Sequence, residues 1–106
     1  MKRIIRSAAR DDILRQFRYY LVDQARPEVA HRFLEAVEKT IGKILRTPEA
    51  GARREFSSRL LAGLRSWPVE GFENIRVYYL AEETAVRVVR VLHGKRDIQR
   101  ILEGEE

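Results

Sequence analysis

Asn74-Ile75-Arg76-Val77-Tyr78-Tyr79-Leu80 sets Ile75, Val77 and Tyr79 against Arg76, Tyr78 and Leu80, a period of two. After Glu82-Glu83-Thr84 comes Ala85-Val86-Arg87-Val88-Val89-Arg90-Val91-Leu92-His93, which is rich in β-branched residues and ends at Gly94. Side chains of a strand point alternately to its two faces, and β-branched residues pack well on a pleated surface. These runs therefore predict two strands joined by a tight reversal, the second central in its sheet. Its alternation sets Val86, Val88 and Leu92 against Val89 and Val91. Upstream, Ser58–Val69 holds Leu60, Leu61, Leu64, Trp67 and Val69 and reads as a third strand, ended by Pro68. Three consecutive strands imply a meander.

Toward the N-terminus the period changes to three and four. Ala9, Ile13, Phe17, Tyr20 and Leu21 predict an amphipathic helix over about 8–23, with Ser7 as N-cap. Asp11 and Asp12 fall in its first turns, where negative charge suits the helix dipole. Pro27 is suited to the first position of a second helix, whose stripe is Ala30, Phe33, Val37, Ile41, Ile44 and Leu45. Thr47-Pro48 stops it. The short connection at Asp23–Arg26 makes the pair an antiparallel hairpin. Residues 2–6, with Ile4 and Ile5 between basic flanks, read as a short strand, and Lys95–Leu102 as one or two helical turns. The order is β-α-α-β-β-β with a C-terminal helical turn: an α+β fold, a long helical hairpin on an antiparallel sheet.

The chain has 106 residues, the size of one domain, and 44% of them are hydrophobic, enough for a core without crosslinks. It has no cysteine, which excludes disulfides, cysteine metal sites and thiol nucleophiles. Neither a secretory leader nor an apolar run of about 20 residues is present, so no membrane partner and a cytoplasmic location are expected. Net charge is +5, and 17 of the 21 cations are arginine. Guanidinium forks fit carboxylates and phosphates, so an acidic protein or a nucleic acid suits this balance.

Three stretches resemble the ParE/RelE superfamily of type II toxins, and ParE most. They are the hairpin with Ala30-His31-Arg32-Phe33, Ile41, Ile44, Leu45, Pro48 and Gly51; Gly63-Leu64-Arg65-Ser66-Trp67-Pro68-Val69 leading to Gly71-Phe72-Glu73-Asn74-Ile75-Arg76-Val77-Tyr78-Tyr79; and Arg90-Val91-Leu92-His93-Gly94-Lys95-Arg96-Asp97-Ile98. The resemblance covers residues 1–106 as a single toxin domain. It implies a ParD-like antitoxin, a ribbon-helix-helix protein through which the pair binds operator DNA. Members similar to ParE poison DNA gyrase and block replication; members similar to RelE cut mRNA on the ribosome. Fold alone cannot choose between these activities.

RNA cleavage would need a base, an acid and cations around the phosphate. His93, Arg65, Arg76, Arg90 and Arg96 are the residues available for it. The place where RelE-like nucleases carry a C-terminal tyrosine falls on Leu102, and nothing after His93 is His or Tyr. The expectation is therefore a toxin without catalytic residues, metal or cofactor, which binds gyrase stoichiometrically. Arg65, Trp67, Tyr78, His93, Lys95 and Arg96 are the candidate partner contacts. Arg53-Arg54 reads as a solvated charge cluster. One tyrosine of each doublet, Tyr19-Tyr20 and Tyr78-Tyr79, should be core and the other exposed. An apolar groove between hairpin and sheet should receive an amphipathic helix or a strand of the antitoxin.

Overall fold

The computed structural model describes residues 1–55, 59–94 and 98–103. Its elements are β1 (Lys2–Ile5), α1 (Ser7–Arg18), a π-helical turn (Tyr19–Asp23), α2 (Pro27–Arg46), β2 (Ala52–Arg53), a 3₁₀ turn (Arg59–Leu61), β3 (Arg65–Val69), β4 (Phe72–Ala81), β5 (Ala85–His93) and α3 (Ile98–Glu103). The strands form one sheet in the order β1-β5-β4-β3-β2.

α2 forms for the reasons its sequence suggests. Pro27 opens it, Glu28 sits in the first turn, and Lys43 and Arg46 stand in the last, each sign at the favourable end of the dipole. Ala30, Phe33, Val37, Ile41 and Ile44 are buried along one stripe against the sheet. Each large aliphatic or aromatic side chain so buried stabilises the fold by about 1.5–3 kcal/mol.

The sheet is mixed rather than antiparallel. β1 runs parallel to β5, Lys2 opposite Ala85 through Ile5 opposite Val88, while the other neighbours are antiparallel. The α1–α2 hairpin lies between β1 and the meander in sequence, and such a crossover returns the chain in the parallel sense. β2 is an added strand of two residues. The long strand expected at 58–69 divides into the 3₁₀ turn and β3, because Gly63 takes a left-handed φ of 82° and turns the chain. Pro68 lies within β3 rather than ending it. Only two residues of β3 pair with β2, so the rest of that edge makes no demand on an N–H there.

Both faces of the sheet are covered. On the hairpin side Ala9, Phe33, Val37, Ile41 and Ile44 meet Val69, Ile75, Val77, Tyr79, Val86, Val88 and Val91. On the other side Leu61, Leu64, Tyr78, Val89, Leu92 and Leu102 form a second cluster. Tyr78 and Tyr79 are thus both core, one per face, at 1% and 0% exposure. Simple alternation also fails along β5. A register shift opposite Tyr78/Tyr79 lets Val91 follow Val86 and Val88 to the hairpin side and sends Leu92 to the other face.

The hairpin differs in its first half. Arg6, not Ser7, occupies the cap position of α1, with no side-chain bond. Asp12 does not serve the helix dipole: its carboxylate is buried, as described below. The π turn replaces the last turn of the expected helix, and Tyr20 there packs on Phe33 and Phe72 at 5.6 and 5.7 Å between ring centroids. Tyr19 and Val22 stay exposed.

Candidate functional site

Among the described residues the arginines that a nuclease would require are spread out and already bonded. Arg90 is buried and gives Nε and Nη2 to the Asp12 carboxylate at 2.6 and 2.8 Å. The same carboxylate accepts the Val91 N–H at 3.0 Å and Arg15 Nη1 at 3.3 Å. The β1–β5 register stops at Val88, so beyond it Asp12 of α1 takes the place of a strand partner for β5. Arg90 is therefore a positioning group for the helix on the sheet, which corrects its candidacy as a phosphate ligand. Sequence spacing carried no sign of a pair 78 residues apart.

Arg65 lies opposite Tyr79 on the hairpin side of the sheet. Its Nη1 donates to the Gly51 carbonyl at 3.0 Å. The Gly51 N–H donates in turn to Tyr79 Oη at 3.0 Å, and that hydroxyl donates to the Pro48 carbonyl at 2.8 Å. This ring of bonds locks the chain leaving α2 onto the sheet and explains Gly51, since a Cβ there would fall within 2.9 Å of the Tyr79 ring. Burial pushes the Tyr79 phenol up. Trp67 is half-buried against the hairpin-side core.

Arg76 projects to the opposite face, beside Tyr78, and donates from Nε to Ser66 Oγ at 3.0 Å. Tyr78 is no exposed anchor: it is buried beneath Leu61, Leu64 and Leu102, burial pushes its phenol up, and the Arg54 guanidinium stands 5.8 Å from its ring. Leu102, the position at issue for proton transfer, is 2% exposed in this apolar cluster. Lys95 and Arg96 lie outside the described residues.

His93, at the end of β5, faces a cleft of about 420 Å³ with Tyr20, Gly71, Phe72, Glu73, Asn74 and Ile75, where the hairpin turn meets the sheet. Its walls mix aromatic and polar groups. Among the described residues the large apolar side chains that stand exposed are, besides Met1, Leu14, Tyr19 and Val22, which lie elsewhere, on the outer side of α1 and the π turn. They border a second depression of about 440 Å³ with Arg15, Arg18, Asp11 and Asp23. The sequence reading missed this surface because it followed only the stripe of Ala9, Ile13, Phe17, Tyr20 and Leu21 and left Leu14 and Val22 unassigned; the wider π turn is invisible to a 3.6-residue period. Among the described residues no group of His, Asp or Glu could hold a metal ion, and no helix is long and apolar enough to cross a membrane.

Comparison with known proteins bears on this arrangement. No curated protein matches the sequence at a significant level. A solved structure titled "Chromosomal ParDE TA system from P. aeruginosa" superimposes with a TM-score of 0.70 at 16% identity, covering 88% of this chain and 95% of that one. At that identity it shows the fold. The sequence profile of the "ParE toxin of type II toxin-antitoxin system, parDE" matches residues 4–98, from β1 through the meander to the start of α3. With its hairpin, mixed sheet and buried C-terminal leucine accounted for, the chain belongs to the ParE toxin family of type II toxin–antitoxin systems.

Proposed function

We propose that this ParE-family toxin acts by stoichiometric binding to DNA gyrase, holding it in a state with broken DNA, rather than by cutting RNA. One observation carries the reading: among the described residues the nuclease candidates do not assemble. Arg65 and His93 belong to the hairpin side, whereas Arg76 and Arg90, paired with Leu92 and Tyr78, belong to the opposite face, and Arg90 is held by Asp12. A crowded phosphate needs convergent, preorganised charge, and with Arg90 committed to the Asp12 carboxylate neither face gathers it from these groups. Leu102, buried against Tyr78, adds no proton-transfer group from the C-terminal helix.

A ParD-like antitoxin is the natural partner of such a chain. The apolar patch of Leu14, Tyr19 and Val22, flanked by Arg15 and Arg18, suits an amphipathic acidic segment, and the helix-in-groove mode uses such surfaces. The net charge of +5 favours its approach, so association slows as salt rises. The pair would meet operator DNA through the antitoxin, in the cytoplasm. The test uses purified components. The toxin is expected to inhibit gyrase supercoiling of relaxed plasmid and to leave ribosome-bound mRNA intact, and antitoxin is expected to relieve the inhibition. Cleaved mRNA with undisturbed supercoiling overturns the proposal.

A further inference from the structure

The edge of the sheet at β2 carries an arrangement that the fold itself does not explain. Arg53 and Arg65 are directly opposed across β2 and β3. Directly opposed residues bring their Cβ atoms to about 4.5–5.5 Å, and like charges so placed destabilise a strand pair. Arg54, next in the chain, turns its guanidinium to the other face over Tyr78, where Arg76 also lies. Arg53 and Arg54 together border a notch of about 190 Å³ with Glu55, Leu61, Ala62 and Gly63. Among the described residues none of these four arginines forms an ion pair with a carboxylate, Glu55 included. Arg65 and Arg76 spend one or two donors on Gly51 and Ser66, out of the five that a guanidinium carries.

We propose that this arginine edge is a binding site for the phosphate backbone of duplex DNA. Four guanidinium groups on both sides of a two-residue strand would be relieved of mutual repulsion by an external polyanion. An acidic protein could supply the charge, but the surroundings favour DNA. Interfaces with DNA are polar and strongly positive, whereas protein interfaces have an apolar core. Among the described residues the large apolar side chains found exposed are Met1, Leu14, Tyr19 and Val22, none of them at this edge. Backbone contacts of this kind carry no sequence preference. The site is separate from the apolar patch on α1, and binding to DNA alone does not depend on the gyrase reading.

The experiment is fluorescence anisotropy of a labelled 20-base-pair duplex against the purified chain between 50 and 200 mM salt. Comparison is with Arg53→Ala/Arg54→Ala and with a control, Arg10→Ala/Arg32→Ala, that removes the same charge from exposed helix positions. Each phosphate contact contributes about 0.9 to the slope of log affinity against log salt. Loss of two contacts should lower the slope by about 1.8. The advantage of the wild type over the edge variant should then shrink about twelvefold across that salt range. The control should keep the wild-type slope. Arg53→Gln/Arg54→Gln repeats the measurement if the alanine pair does not fold. No DNA binding at 50 mM salt, or equal loss in the control, overturns the proposal. So does a glutamate-rich peptide that binds with the same dependence on Arg53 and Arg54, which would assign the edge to an acidic protein.

Discussion

Replacing Asp12 with alanine should cost more stability than any other single substitution on α1. The Asp12 side chain is 2% exposed and that of Arg90 10%, and four donors converge on the one carboxylate. Removing one member of a buried ion pair strands the other charge and costs about 3–5 kcal/mol. The Val91 N–H loses its acceptor at the same time, within that range rather than added to it, because the contacts share one network. A domain of this length has a total stability of about 5–15 kcal/mol. A loss of about 4 kcal/mol lowers the melting temperature by roughly 15–30 °C. Urea unfolding followed by circular dichroism measures it, with the exposed neighbour Asp11→Ala as control, expected within about 0.5 kcal/mol of wild type. The double variant Asp12→Leu/Arg90→Met should recover most of the loss, since an apolar pair of similar volume avoids the desolvation penalty. A cost below about 1 kcal/mol for Asp12→Ala, or a double variant no more stable than the single one, refutes the assignment of this pair as the lock between α1 and β5.

Three further substitutions probe other parts of the fold. Gly51→Ala puts a methyl group against a tyrosine ring fixed by two hydrogen bonds, and should destabilise by about 1–3 kcal/mol in the same urea assay. A cost near zero would mean that Tyr79 can give way. Ala25 sits at φ 50° in the hairpin turn, a left-handed conformation that costs a residue with a Cβ about 1–2 kcal/mol. Ala25→Gly removes that strain but gains up to about 1 kcal/mol of unfolded-chain entropy, so stability should be unchanged or rise by up to about 1 kcal/mol. A loss contradicts the strain argument. Arg3 donates to Glu38 at 3.0 and 2.6 Å, and these hydrogen bonds hold the Glu38 carboxyl below its usual range. A depressed pKa contributes stability above the unfolded value, near pH 4.3, that is lost as pH falls through the folded value. The pair is largely exposed, so Arg3→Ala should cost about 0.5 kcal/mol at pH 7 and nothing at pH 2. An equal cost at both pH values would rule the ion pair out as its source.

The local physics of this chain was legible and its long-range geometry was not. Pro27, the Phe33–Ile44 stripe and the alternation of Ile75, Val77 and Tyr79 specify α2 and β4 through near-neighbour spacing alone. The parallel seat of β1, the two-residue β2 and the Asp12–Arg90 pair depend on which distant segments meet, and no period along the chain encodes that. The shift opposite Tyr78/Tyr79 has a wider effect. One unpaired position moved Val91 and Leu92 to exchanged faces, while the leucine cluster over the second face made Tyr78 core as well as Tyr79. Of the candidate site residues, Arg65 and Trp67 lie on the strand where the sequence placed them. Tyr78 and Arg90 were misjudged because aromatic and guanidinium side chains serve a core and an interface equally well. The Leu14–Val22 surface emerged only with the π turn in view.

Stoichiometric poisoning is tested most directly by what becomes of the DNA. Plasmid incubated with gyrase and this chain, then treated with detergent and protease, should yield linear molecules in proportion to added toxin up to about one equivalent of gyrase. Ribosome-bound message in the same sample should stay full length. Circular plasmid at every toxin concentration, alongside mRNA cut within the ribosome, would contradict the account.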